Sequence, residues 1–329
     1  MKRHHRSAVA LSCAIFTSFV PQAYAQAQGD GTYYDVKTGL TWMRCMVGQT
    51  WANGTCTGAA TTHTFDEATA LRGKVSFAGQ SDWRMPNIRE LNSIVDFSKA
   101  SPAIDTNQFP KSSTSVVWSG SPFVGYSSYV WRVDFSGGRS SSGGTATSYC
   151  YRCIPYTPGA GVRLVRGGQS LGLLSPARPT EDYQNNGDGT VTHKPTDLMW
   201  KRCAEGQSWS GSTCTGAAGQ FQWVNAKAIT SSFAGKTDWR LPTIQELQSL
   251  VDYTKSDPTP TLNTTIFPNN SVSGVWSGSP YANSAGYAWS VGFSSGNSFE
   301  NSLNGDLGVR LVRNAQSSSP LPPTDRNCL

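Results

Sequence analysis

Charge is scarce in this 329-residue chain: Asp, Glu, Lys and Arg make up 15% of it, where about 25% is usual for a soluble protein. The net charge of +6 shrinks further when residues 1–25 are set aside, because they hold Lys2, Arg3 and Arg6 and no acid, leaving 24 basic against 21 acidic residues. So even a balance excludes a dedicated nucleic-acid binder, which would carry a basic patch or stripe. Long apolar runs are missing as well. The run at 8–20 is about 13 residues, short of the ~20 that a membrane span needs, and no later segment approaches that length. What the chain has in quantity is Trp (11), Gly (33) and an aromatic content of 11%. That many large rings can bury enough surface to offset the entropy of ordering, which excludes a disordered chain. Few charges with many Gly, Ser and Trp point to a loop-rich fold containing β-structure.

Residues 1–25 read as a secretory signal: a basic start, the apolar run, and Ala23-Tyr24-Ala25 as a small-x-small cleavage site. A lipoprotein reading would use Cys13, but the apolar stretch before it is too brief. Export makes the remaining cysteines disulfide candidates. Seven stay in the mature chain, at 45, 56, 150, 153, 203, 214 and 328. Seven is odd, so at least one is free or joins another molecule, and Cys328 is the one without a companion.

The decisive feature is an internal repeat. Gly39-Leu40-Thr41-Trp42-Met43-Arg44-Cys45 answers to Asp197-Leu198-Met199-Trp200-Lys201-Arg202-Cys203. Asp82-Trp83-Arg84 recurs as Asp238-Trp239-Arg240, Val117-Trp118-Ser119-Gly120-Ser121-Pro122 recurs at 275–280, and Gly161-Val162-Arg163-Leu164-Val165-Arg166 recurs at 308–313. A period near 150 residues is too long for a solenoid and means two whole domains. They are expected at 29–166 and 183–313, joined by a linker at 167–182 and followed by a flexible tail at 314–329. The first copy carries about 11 extra residues late in the domain, around Tyr149-Cys150-Tyr151-Arg152-Cys153.

Each copy reads alike. Strands are expected at 32–36 and 40–44, then a cysteine-bounded loop. Helices follow at 65–71 and from Ile88, with counterparts at 223–229 and from Ile244. Asn87 and Thr243, each three residues before a Glu, form capping boxes, and Ile88, Leu91, Ile94 and Val95 make the apolar stripe behind the first of them. Strands at 116–119, 129–135 and 162–166 complete the copy. Two early helices with later strands and long loops make an α+β domain.

Cys45/Cys56 and Cys203/Cys214 repeat with the same spacing of 11, so each pair is expected to be one bridge. Cys150/Cys153 is read as a third, local bridge, since it lacks a second pair or a nearby His for zinc. The two histidines beyond residue 25, His63 and His193, do not occupy equivalent positions. That excludes a His-dependent nucleophile system present in both copies. Asp82-Trp83-Arg84 is expected to form a buried turn with an ion pair, Glu90 and Glu246 to act as helix caps, and Asp188 to shape a turn rather than to hold calcium. Trp42, Trp83, Trp118, Trp131 and their counterparts are expected in the core. No cofactor or metal is expected.

Between the Trp-Ser-Gly-Ser-Pro motif and the Val-Arg-Leu-Val-Arg end the frame is shared and the filling differs. Copy 1 places Phe123, Tyr126, Tyr129, Arg132 and Arg139 there; copy 2 places Tyr281, Tyr287, Asn297, Phe299, Glu300 and Asn301. Aromatics mixed with Ser, Gly and Asn are the composition of a binding surface. Tyr126, Tyr129, Arg132, Arg139, Tyr281, Tyr287, Asn297, Phe299 and Asn301 are therefore the candidate ligand-binding residues.

The succession Thr-Gly-Leu-x-Trp, Ala-Gly-x-x-Asp-Trp-Arg-[Met/Leu]-Pro-x-Ile-x-Glu-Leu, Val-Trp-Ser-Gly-Ser, Val-x-Phe-Ser-[Gly/Ser]-Gly and Val-Arg-Leu-Val-Arg resembles the Lcl C-terminal domain family, named for the end of a bacterial collagen-like adhesin. The resemblance covers both copies and implies two tandem C-type-lectin-like domains, a fold also seen in formylglycine-generating-type domains. It implies a ligand face in the late loops and a surface-adhesin role. Copy 2 departs from the pattern at Pro195-Thr196-Asp197, where copy 1 has Thr38-Gly39, which puts that turn in question. The expectation is an exported, periplasmic or cell-surface, non-enzymatic protein that binds a glycan or a surface protein, with no nucleic-acid partner. One alternative is an assembly module of an envelope complex. The other, a formylglycine-generating-like oxidase, would rest on Cys150 and Cys153.

Overall fold

The computed structural model describes residues 26–27, 29–112, 116–145, 159–168, 174–256, 260–270 and 274–315. The expected signal segment, Cys13, Cys150, Cys153, Cys328 and all of the expected tail except 314–315 lie outside them. Repeat 1 comprises β1 (Gln26–Ala27), β2 (Thr32–Asp35), β3 (Leu40–Met43), β4 (Thr50–Ala52), β5 (Thr55–Thr57), β6 (Thr62–His63), α1 (Phe65–Thr69), α2 (Ile88–Ser93), β7 (Val116–Pro122), β8 (Tyr129–Asp134), β9 (Arg139–Gly144), β10 (Ala160–Gly161) and β11 (Val165–Gly167). Repeat 2 comprises β12 (Tyr183–Asn185), β13 (Thr190–His193), β14 (Leu198–Lys201), β15 (Ser208–Trp209), β16 (Cys214–Thr215), α3 (Trp223–Lys227), α4 (Ile244–Gln248), β17 (Gly274–Pro280), β18 (Tyr287–Gly292), β19 (Ser298–Ser302) and β20 (Val312–Asn314). The chain is two tandem domains of small, mostly antiparallel sheets with few helices.

Each repeat closes a four-stranded sheet with its own last strand: β1-β2-β3-β11 in the first, β12-β13-β14-β20 in the second. A second sheet follows, β6-β10-β7-β8-β9 in repeat 1 and β17-β18-β19 in repeat 2. The Val-Arg-Leu-Val-Arg segment, expected as one strand, is a strand only from Val165, and the residues just before it belong to the second sheet of repeat 1. Gly161 bridges Val117 in parallel, while Val165 pairs with Trp42. Arg163 lies between them, fully buried, and forces the break: its guanidinium donates to Met43 O (3.0 Å) and Arg44 O (2.6 Å). Arg310 does the same for Lys201 O and Arg202 O.

The local signals hold. Asn87 and Thr243 accept from the Glu90 and Glu246 amides, and those carboxylates accept from the cap amides in return. The bridges Cys45–Cys56 and Cys203–Cys214 are present. Asp197 takes φ +51° where Gly39 takes +67°, so the departing turn keeps its left-handed residue, a conformation Asp tolerates. Asp188 accepts from Thr190 N (2.9 Å) and shapes a turn. The Asp82-Trp83-Arg84 expectation needs correction. Only Trp83 is buried, and the two charges do not pair with each other. Arg84 grips Glu90 with two 2.7 Å bonds, and Asp82 accepts from Arg166 Nε at 2.7 Å. The reason is the backbone bridge between Arg84 and Val165, which brings Arg166 alongside Asp82.

All eight repeated tryptophans are buried, at 5% exposure or less. One apolar cluster runs through both repeats, joining Trp42, Phe97 and Trp131 of the first to Trp200, Tyr253 and Trp289 of the second. Its centre is reciprocal. Trp131 meets Tyr253 edge-on at 4.9 Å, and Trp289, its counterpart, meets Phe97, the counterpart of Tyr253, at 5.2 Å. Gly138 and Gly296 sit at matching turns with φ of +92° and +81°, and a Cβ on either would come within 2.9 Å of Val95 or Val251. Only glycine suits both the conformation and the space. Smaller clusters around Trp83 and Trp118 and around Trp239 and Trp276 belong to one repeat each.

Candidate ligand-binding face

The connection from β7 to β8 is a tight aromatic hairpin. Phe123 N donates to Tyr129 O and Tyr129 N to Tyr126 O, both at 2.9 Å. This brings three rings together: Phe123 stacks with Tyr126 (centroids 6.2 Å, planes 8° apart), and Tyr129 lies 5.5 Å from Tyr126 at a tilt of 48°. Phe123 is buried and packs its edge on Trp131 at 5.4 Å. Tyr126 is 64% exposed, and its neighbour Val124 is also exposed. The hairpin is held from the other repeat too, because the Ser256 hydroxyl donates to Val124 O.

Repeat 2 builds the same hairpin with different chemistry. Tyr281 N donates to Tyr287 O and Tyr287 N to Ser284 O, so Ser284 stands where repeat 1 has Tyr126. Tyr281 packs edge-on against Trp289 at 5.1 Å, and its hydroxyl accepts from Asn283, whose amide also reaches Ser136 O of repeat 1. Tyr287 is 42% exposed at the start of β18.

The remaining candidates lie along the strands. Arg139, the first residue of β9, forms an ion pair with Glu300 of β19 across the two repeats. Next to it Ser140 N donates to Ser298 Oγ at 3.0 Å. Asn301 donates to Ser290 Oγ at 2.6 Å, Phe299 and Asn297 are half-buried, and Asn297 Oδ1 is enclosed without a partner. Arg132 is buried in β8 with its guanidinium 5.9 Å from the Trp118 ring. The structure therefore groups Tyr126 and Tyr129 on an outward hairpin and sets Arg139 and Tyr281 against the opposite repeat. The Cys150/Cys153 pair, Tyr149, Tyr151 and Arg152 fall outside the described residues.

Residues not singled out from the sequence form the seam between α2 and α4, where a cavity of about 150 Å³ opens. Arg89 lines it and donates to Gln248 O and Val251 O at the end of α4. Arg178, from the segment expected as a linker, donates to Ser249 O at 2.6 Å. Leu174 of that segment is buried, and Tyr253 N donates to Pro176 O. Burial, with the charge of Arg178 nearby, pushes the Arg89 guanidinium down to about 9. The two arginines satisfy carbonyls that a helix end leaves without intrahelical donors, so they work as a clasp between the repeats. The sequence signal was slight: Tyr253 repeats the aromatic Phe97, but nothing near Arg89 sets it apart from a surface helix residue.

Among the described residues no group of three or more His, Cys, Asp or Glu side chains could hold a metal ion, and no helix is long and apolar enough to cross a membrane. No curated protein and no solved structure matches the chain. The family model described as the Lcl C-terminal domain matches twice in tandem, at residues 31–155 and 189–313. The matches span more than half of the chain and take in both aromatic hairpins, so this protein belongs to the Lcl C-terminal domain family.

Proposed function

We propose that the chain is an exported, non-enzymatic binding protein, adhesin-like and built from two C-type-lectin-like domains, that recognises a glycan or a surface protein through the Tyr126 hairpin of repeat 1. One observation carries the reading. Tyr126 is a large ring 64% open to water, stacked on Phe123 and so fixed through it to the core. A rigid aromatic loses little entropy on meeting a ligand and brings both apolar area and a hydroxyl to the contact. The supporting context is a loop on a braced scaffold, where recognition residues concentrate, in a chain whose two bridges suit an oxidising compartment.

The intact chain and Tyr126→Ala are compared on a glycan array and on whole-cell surfaces, with unfolding temperature as the control. The expected result is an unchanged unfolding temperature and a loss of roughly tenfold or more in affinity. Full retention of binding by the variant, or no binding by either protein, overturns the proposal.

A further inference from the structure

Among the described residues, seven of the eight buried arginines have evident work. Arg44, Arg89, Arg163, Arg178, Arg202 and Arg310 donate to backbone carbonyls, and Arg313 pairs with Asp238. Arg132 differs. It is 4% exposed, yet among the described residues its guanidinium makes no hydrogen bond and no ion pair, and its Nε is enclosed with no acceptor. The Trp118 ring lies 5.9 Å away, near the outer limit for a cation–π contact. Asp134, two residues on along the strand, acts on it by charge alone, while its carboxylate accepts from Ser136 N at 2.9 Å. Directly across the β8–β9 ladder stands Ser141, whose buried hydroxyl also has no partner.

The surroundings are shaped for this side chain. A Cβ on Gly143 would lie 2.2 Å from Arg132 Cζ, so the guanidinium rests flat on a strand position that only glycine leaves open. Repeat 2 has nothing comparable. Ser290 takes the equivalent position and is satisfied, donating to Phe299 O and accepting from Asn301. A buried charge without hydrogen bonds costs more than any neutral side chain that could fill the same space. Repeat 1 thus keeps a guanidinium whose Nε is enclosed, beside a hydroxyl without a partner, that no other described residue uses.

We infer that Arg132 and Ser141 form an anion subsite in repeat 1 that takes a carboxylate group of the ligand. The planar guanidinium matches a planar carboxylate through two parallel bonds, and the Ser141 hydroxyl can add a third. This deepens the preceding proposal and rests on its assignment of repeat 1 as the ligand-bearing half, but it is tested separately.

The probe is sodium acetate, titrated into the intact chain at constant ionic strength made up with chloride. Sodium sulfate serves as a second arm, and the unfolding temperature is the readout. Wild type is expected to rise by a few degrees with acetate, because a ligand that binds only the folded state stabilises it. Arg132→Gln is expected to unfold without acetate at the wild-type temperature or higher, since it removes a buried charge that makes no hydrogen bond, and to lose the acetate response. Ser141→Ala is expected to weaken that response and keep the fold. Tyr126→Ala is expected to retain it in full, so a failed glycan array leaves this result standing. Three outcomes overturn the inference: no response of wild type to acetate, a response to sulfate alone, or an equal acetate response in Arg132→Gln. An Arg132→Gln protein that melts lower with no acetate effect in wild type would make Arg132 a packing residue on Trp118.

Discussion

His193 shows how one buried side chain sets a property of the whole chain. Its ring is fully enclosed, lies 4.8 Å from the Tyr183 ring and meets Thr196 Oγ1 through Nδ1 at 2.7 Å. Burial, helped by the charges of Arg178 and Arg89, pushes it down to about 3, against about 6.5 in an unfolded chain. Between those values the unfolded state binds a proton that the folded state does not. Stability therefore falls as pH drops from about 6.5 toward 3, by about 1.4 kcal/mol per pH unit from this group. His193→Gln is expected to flatten that limb by one proton, read as the pH dependence of urea-unfolding free energy; an unchanged slope removes His193 from the account. In repeat 1 the matching residue is Asp35, which holds the same turn by accepting from Lys37 N and Thr38 Oγ1.

The short helices depend on their ends. α2 and α4 have six and five residues, too few to be stable alone, so capping and packing hold them. Thr243 is the simpler test, because its side chain serves Glu246 alone among the described residues, through the amide at 3.2 Å and the carboxylate. Thr243→Ala is expected to cost about 1 kcal/mol in urea unfolding. Asn87→Ala is expected to cost more, because Asn87 Nδ2 also donates to Leu174 O at 3.1 Å and helps hold the segment between the repeats. Equal losses at the two positions would deny that extra role. The small β4–β5 and β15–β16 ribbons are mirrored as finely: each is tied by a bridge of separation 11, and Arg44 and Arg202 each lie 4.4 Å from Trp51 and Trp209. A bridge closing so short a loop contributes about 2–3 kcal/mol.

At the scale of the molecule the two repeats act as one body. Their common cluster, the Arg89 clasp and the Arg139–Glu300 pair place the interface at the centre of the protein. The expected consequence is one unfolding transition for the whole chain. Phe97→Ala, which removes the ring under Trp289, is expected to cost about 3–5 kcal/mol and to lower hydrogen-exchange protection in both repeats together. Two separate transitions, or protection lost in repeat 1 alone, would refute a shared core.

Much of this was legible in the residues taken singly. Capping boxes, the two bridges and the buried tryptophans all follow from interactions within a few positions or from repetition at one offset. The chain states those signals twice, once in each half. The pairings that cross the chain were not legible. Asp82 meets Arg166 and Arg84 meets Glu90 because a backbone bridge aligns distant segments, and linear order carries no such alignment. Nor does an apolar aromatic declare which partner covers it. Trp131 and Trp289 have the pattern of any core residue, and only the packed chain reveals that each is covered from the opposite repeat. The sequence by itself determined two similar, braced domains with aromatic late segments, because those features are local. Tertiary structure alone decided that β9 and β19 face each other while Tyr126 turns outward and Arg132 is enclosed, because burial depends on which faces remain apolar after each half has folded.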